Sequence, residues 1–188
     1  MLEIKWHGRG GQGAKTAAML LAQTAMTAGF EIQAFPEYGP ERSGAPITAY
    51  TRISESPIRI HSGIKNPSAV VVLDAGLMDV VDVTAGLAEE DGLLLVNSSK
   101  NPDQLQENIK HDIARLAAVD ATAIAREQTG STVPNMPMLG AFIQIEKIVS
   151  LEKLIEVVKE KLSAKLGEKK AQANIACIRR AFQEVRTP

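Results

Sequence analysis

The chain has 188 residues, with 21 Lys+Arg against 22 Asp+Glu and a formal net charge of -1. That length suits a single domain over residues 1–188, burying roughly 70% of the surface its unfolded chain exposes. The balanced charge gives no electrostatic reason to propose nucleic acid or an anionic membrane as partner, and aromatics at 4% are too few for base-stacking platforms.

Ile4 to His7 is short, apolar-leaning and stopped by glycines, which predicts a first strand. Gly8 to Gly13 reads as a loop. Ala14 to Ala28 is rich in strong helix formers and ends at Gly29, so it predicts a helix. Phe30 to Phe35 predicts a second strand, giving a βαβ opening. Pro36 to Pro46 holds three prolines and is read as a long loop. Ile47 to Ile53 predicts a strand, with Pro57 to Ile60 as its hairpin partner. Ala69 to Leu73 (AVVVL) has the continuous β-branched character of a strand buried on both faces. Asp74, Ala75 and Gly76 read as a turn, followed by a helix near Leu77 to Glu90 that Asp74 and Asp79 would cap. Leu93 to Val96 and Leu116 to Val119 predict two further buried strands.

From Met138 onward the spacing becomes helical. Leu151, Leu154, Ile155, Val158 and Leu162 fall on one helix face and are read as core. The predicted fold is therefore α/β: a three-layer, Rossmann-like sandwich with a helical C-terminal third.

Gly8, Gly10 and Gly13 satisfy GxGxxG, with Gly11 as a fourth glycine, between a predicted strand and a predicted helix. Such a loop permits tight turning, and the helix beyond it offers free N–H groups and a positive dipole end to an anion. Arg9 and Gln12 complete the candidate loop, Arg9 as a charge-assisted phosphate contact. A dinucleotide-binding loop expects an acidic residue at the end of the second strand. Here FEIQAF begins with Glu31 nearby and ends in Gln33, Ala34 and Phe35. GxxxxGK[ST] is also absent, although Lys15 and Thr16 follow Gly13 closely. The loop thus leaves four readings open: a nicotinamide dinucleotide, another anion, a partner subunit's loop, or a tight turn with no ligand.

The second candidate is the charged loop Glu37, Tyr38, Gly39, Pro40, Glu41, Arg42 and Ser43, whose glycines and prolines restrict the backbone around charges and one aromatic. In a βαβ opening this loop and the Gly loop share one edge of the sheet, where open α/β folds place ligands. Asn135, in VPNMPMLGAF, is a third candidate contact if the helix that follows closes onto the same edge.

Other groups carry little. His7, His61 and His111 make no metal-ligand spacing, and Ser43 lacks a GxSxG context. Cys177 is the single cysteine. It can form no internal disulfide and falls short of the four thiolates a cluster normally takes. No catalytic residue and no metal ligand is assigned. The N-terminus lacks a signal-peptide apolar stretch and no run approaches the ~20 residues of a membrane span, so a soluble cytoplasmic protein is expected.

HGRGGQGAKTAA (His7 to Ala18), QAFPEYGPERSGAPITAYTRIS (Gln33 to Ser54) and NMPMLGAF (Asn135 to Phe142) together resemble the gamma subunit of pyruvate:ferredoxin oxidoreductase, of the 2-oxoacid:ferredoxin oxidoreductase family. The likeness runs over essentially the whole chain. GRGGQG followed by FP-x-YGPERSGAP is specific, whereas a lone GxGxxG is not. The resemblance implies a multi-subunit enzyme of anaerobic metabolism that oxidatively decarboxylates a 2-oxoacid to an acyl-CoA and passes electrons to ferredoxin. It implies alpha, beta and delta partner subunits, or fused equivalents, that hold thiamine diphosphate, Mg²⁺ and the iron–sulfur clusters. This chain would then be a structural, site-completing subunit with no catalytic residue of its own. A contribution to coenzyme A binding at the Gly loop is the further expectation. Pyruvate and a branched-chain 2-oxoacid (2-oxoisovalerate) both stand as substrates, and a stand-alone NAD(P)-binding enzyme is the lesser alternative.

Overall fold

The computed structural model describes residues 1–37, 44–107, 109 and 112–188. Strand β1 (Leu2–Arg9) leads through the Gly loop into helix α1 (Ala14–Thr27), and strands β2 (Glu31–Glu37), β3 (Pro46–Ser54) and β4 (Ala69–Val72) follow. After a 3₁₀ turn at Ala75–Leu77 come β5 (Leu93–Asn97), α2 (Pro102–Gln106), β6 (Arg115–Val119), α3 (Ala121–Thr129), α4 (Asn135–Glu146), α5 (Leu151–Leu166) and α6 (Glu168–Glu184). The strands form one six-stranded mixed sheet in the order β2-β3-β1-β4-β5-β6.

The sheet is buried where the sequence is uniformly apolar. In β4, Ala69 and Val71 enter one core cluster and Val70 and Val72 the other. In β5, Leu93 and Leu95 join the first cluster and Leu94 and Val96 the second. A strand with both faces covered needs no polar alternation. Helices α1, α3, α4, α5 and α6 cover one face, while α2 and the irregular chain after the 3₁₀ turn cover the other. Helix α4 is buried continuously from Asn135 to Ile143 because it lies beneath α6. Gly140 permits that closeness, since a Cβ there would stand 2.1 Å from the Ile178 carbonyl oxygen. Trp6 pins this layer to the sheet. Its indole Nε1 donates to Thr51 Oγ1 at 3.1 Å, Thr51 Oγ1 donates to the Ala18 carbonyl at 3.1 Å, and its ring lies 5.7 Å from Phe142.

The structure corrects four expectations. First, β2 does not lie beside β1. Strand β3 enters between them, antiparallel to both. Second, Pro57 to Ile60 forms no hairpin with β3, whose two edges are already taken by β1 and β2. Third, residues 77–90 form a 3₁₀ turn and irregular chain rather than a helix. Gly86 sits there at φ 78, with the Lys65 carbonyl oxygen 2.0 Å from where a Cβ would stand, a backbone approach no helix could make. Fourth, α2 and α3 form where no helix was expected. Val157 also joins the α5 core face beside Leu154, Val158 and Leu162, while Leu151 and Ile155 are only partly buried.

Candidate functional site

The site is built at the edge where β1, β4 and β5 end. Strand β2 ends there too, and β3 starts there, with Pro46 opposite Arg9 and Thr48 opposite Glu37. Gly8 packs tightly at the end of β1. A Cβ on it would lie 3.3 Å from Ala14 Cβ and 3.5 Å from Leu73 Cβ, so this glycine lets helix and strand close on each other. Gly11 and Gly13 hold φ 96 and φ 80, left-handed values that side chains resist. The loop then closes on itself, with Gln12 N–H donating to the Arg9 carbonyl at 3.0 Å and Arg9 N–H donating to Gln12 Oε1 at 2.7 Å.

Asp74, just past β4, braces this loop from below. Its Oδ2 accepts from Arg9 Nε at 3.1 Å and from Gln12 Nε2 at 2.8 Å, while Oδ1 accepts from the Gly76 N–H at 3.0 Å. Asp74 therefore caps a 3₁₀ turn rather than a helix, and its larger task is to position Arg9 and Gln12. Sequence reasoning missed that role because Arg9 and Asp74 are 65 positions apart. Asp79 does not cap the turn, whose N-cap is Asp74. One strand further, Asn97 donates to the Leu73 carbonyl and to Thr122 Oγ1, each at 2.8 Å, and ties the ends of β4 and β5 to the start of α3.

The segment that follows the charged loop meets the Gly loop here. Gly10 N–H donates to the Ala45 carbonyl at 3.1 Å, and Arg9 Nη1 donates to the Gly44 carbonyl at 3.3 Å. Gly44 and Ala45, which follow the charged loop, thus lie on the Gly loop even though β3 separates β2 from β1. Of the charged loop's candidate residues, Glu37 is the last residue of β2; Tyr38, Gly39, Pro40, Glu41, Arg42 and Ser43 lie outside the described residues. Asn135, the first residue of α4, lies against the far end of the Gly loop, where its Nδ2 donates to the Gly13 carbonyl at 3.4 Å.

Beyond the loop, α1 begins with Gly13 as its N-cap, without a side-chain cap and without an acid in its first turn. The N-cap glycine has no side chain to accept from the helix's first amides, and a helix N-terminus with its dipole favours an anion. The end of β2 needs a correction. It carries an acid after all, because the strand runs on to Glu37. With β3 interposed, however, Glu37 is two strands away from the Gly loop. It accepts a short hydrogen bond from the Tyr50 hydroxyl instead, and burial together with this carboxylate pushes the Tyr50 phenol above its ordinary range.

On the same face of β1, His7 is 6% exposed, and its Nε2 has no hydrogen-bond partner among the described residues. Burial, helped by the nearby Lys5 charge and opposed by Glu37, lowers its pKa to about 4. His61 lies apart, its Nδ1 3.3 Å from Gln33 Nε2, and His111 is outside the described residues. Arg52, 1% exposed, donates to Glu3 Oε1 at 2.7 Å and to Gln33 Oε1 at 2.6 Å. Cys177 is buried in the helical layer, which pushes its thiol up to about 11. Among the described residues no group of three His, Cys, Asp or Glu is arranged to hold a metal ion, and no helix is long and apolar enough to cross a membrane.

The fold and its edge define a Rossmann-like α/β protein with a Gly loop between β1 and α1, one that departs from the dinucleotide-binding arrangement by inserting β3 beside β1. The chain belongs to the pyruvate ferredoxin/flavodoxin oxidoreductase family, which it matches over residues 3–184. It is 48% identical to the pyruvate/ketoisovalerate oxidoreductases common subunit gamma of Pyrococcus abyssi, over 98% of this chain and 97% of the relative. It is 47% identical to the pyruvate synthase subunit PorC of Methanothermobacter marburgensis, over 92% and 93% of the two chains. The crystal structure of the pyruvate oxidoreductase subunit PORC from Thermotoga maritima superposes with a TM-score of 0.87 at 38% identity, covering 99% of this chain and 97% of that one.

Proposed function

We propose that this chain is the gamma subunit of a pyruvate:ferredoxin oxidoreductase, the complex that converts pyruvate and coenzyme A to acetyl-CoA and CO₂ and passes two electrons to ferredoxin. The observation that carries the reading is its near-full-length identity of 47–48% to proteins named as gamma and PorC subunits of such enzymes. The chain's own chemistry agrees. It has a single, buried thiol, short of the four a cluster normally takes, and we assign the clusters, with thiamine diphosphate and Mg²⁺, to alpha, beta and delta partners. This subunit contributes no reacting group and completes the site by presenting a rigid loop edge.

That edge suits the phosphates of coenzyme A. The start of α1, whose N-cap glycine supplies no side-chain acceptor, can present donors to a phosphate, and no described residue stands within 4 Å of where a Cβ on Gly11 would be. Arg9 is held in place by Asp74 at the same edge. If assembly stays intact, Arg9→Ala and Arg42→Ala should each raise the KM for coenzyme A by tenfold or more, equivalent to about 1.5–3 kcal/mol for a charged contact. An unchanged KM assigns both loops to subunit contacts alone.

The direct test is anaerobic purification of the tagged chain from its native cell, with the eluate assayed for ferredoxin reduction. Activity that needs both pyruvate and coenzyme A, carried by co-purifying cysteine-rich and thiamine-binding chains, is the expected result. A partner-free, inactive chain would sink the reading. A second reading follows from the Pyrococcus relative, whose name assigns it to both pyruvate and ketoisovalerate oxidoreductases. A shared gamma subunit would co-purify with two partner sets and support oxidation of both 2-oxoacids.

A further inference from the structure

An open groove of about 700 Å³ lies between the α5–α6 junction and the chain joining α3 to α4. Lys165, Lys169 and Lys170 line it, and among the described residues no Asp or Glu does. All three lysines are exposed, and none makes an ion pair among the described residues, although the neighbouring Lys153, Lys159 and Lys161 all do. In a chain of net charge -1 this is a local concentration of unpaired cations.

Lys165 sits in the last turn of α5, where a cation suits the helix dipole. Lys169 and Lys170 do not follow that rule. They occupy the first turn of α6, where the dipole disfavours positive charge. The one acid there, Glu168, turns away to Ser163, Gln172 and Lys159. Helix formation thus gives no reason for these two lysines, and a local choice that opposes its own helix points to a use elsewhere. Val133 and Leu166 in the same groove are 37% and 42% exposed, apolar surface left without a cover.

We propose that this groove seats an acidic segment of another subunit of the oxidoreductase complex, its apolar side chains on Val133 and Leu166 and its carboxylates on the three lysines. The proposal rests on the subunit reading above. A small enclosed ligand is less suited, because the cations stand exposed around an open groove rather than converging on its floor. Apolar surface ringed by charge is the anatomy of a protein interface. Asn135 lines the groove and also holds the Gly13 carbonyl, so a segment seated there would bear on the end of the Gly loop.

The native complex, purified through this chain, is treated with a zero-length carbodiimide that joins lysine to carboxylate, and the linked peptides are mapped. The expected result is Lys165, Lys169 or Lys170 joined to an Asp or Glu of another subunit. The same lysines should acetylate several-fold more slowly in the complex than in the isolated chain. Replacing all three by Glu should weaken assembly by on the order of tenfold or more and reverse its salt dependence, while replacing all three by Arg should preserve it. A stable complex in which the three lysines acetylate as in the isolated chain, or in which the Glu variant assembles normally, overturns the groove assignment alone. Protection by added inorganic pyrophosphate without any cross-link overturns it in favour of a small anion. A wild-type chain that joins no complex overturns this proposal and the subunit reading together.

Discussion

Gly13 and Asn135, 122 positions apart, are fitted to each other across the start of α1. Asn135 Nδ2 donates to the Gly13 carbonyl at 3.4 Å and stands 2.3 Å from where a Cβ on residue 13 would be. Gly13 also holds φ 80. Gly13→Ala therefore meets a conformational cost and a collision, and should destabilise the fold by about 2–4 kcal/mol. Adding Asn135→Ala removes the collision but keeps the strained φ. In a denaturation double-mutant cycle the double variant should be more stable than the sum of the single changes implies. Simple additivity would mean the two side chains do not meet.

Asp74 joins the end of β4 to the Gly loop, more than 60 positions away in sequence. Its carboxylate takes Arg9, Gln12 and the Gly76 amide. Asp74→Ala should release the Gly loop from β4 at a cost of about 1–2 kcal/mol, the lower part of the range for charged hydrogen bonds because the pair is partly exposed. Hydrogen exchange should show faster amides at Gly10 to Gly13, with those of β5 unchanged. Equal protection in both proteins would show that the glycines hold the loop without the brace.

Much of the architecture is written locally. AVVV and LLLV signal buried strands because both sides of each are covered, and the Gly loop is flagged by glycines whose φ values the turn requires. The place of β3 is not local. Only the pairing of β3 with β1 and β2 reveals it, and that pairing moves Glu37 away from the Gly loop. Helix α3 carried readable signals in Asp120, which accepts from the Ala123 N–H at 2.9 Å, and in Gly130 at φ 74. The false helix at residues 77–90 had Gly86 as its warning. The Asp74 brace had no sequence signal, because a lone aspartate after a strand fits a cap equally well.

His7 makes stability depend on pH. Its folded pKa of about 4 lies below the ordinary 6.5, so between these values the unfolded chain binds the proton and the folded chain does not. Stability then rises with pH across this window and is lost as pH falls through it, by about 3 kcal/mol in all. His7→Gln removes this group but leaves every carboxylate in place. The gap in unfolding free energy between wild type at pH 7.5 and at pH 4.5 should shrink in the variant. An identical pH dependence would show that His7 is protonated without penalty in the folded chain.

Gly140 tests the contact that closes the helical layer. A Cβ there would lie 2.1 Å from the Ile178 carbonyl oxygen and 2.9 Å from its Cα, both of them backbone atoms that no rotamer change can move. Gly140→Ala must push α6 off α4, although alanine is the better helix former by roughly 1 kcal/mol. The two effects oppose each other. Overpacking against backbone costs about 1–3 kcal/mol and can exceed that, so it should win and leave the variant less stable. Paired with Ile178→Ala the loss should persist, since the obstruction is main chain rather than side chain. A stabilised Gly140→Ala variant in chemical denaturation would show that α4 and α6 can separate freely, and that their close crossing is not a constraint of the fold.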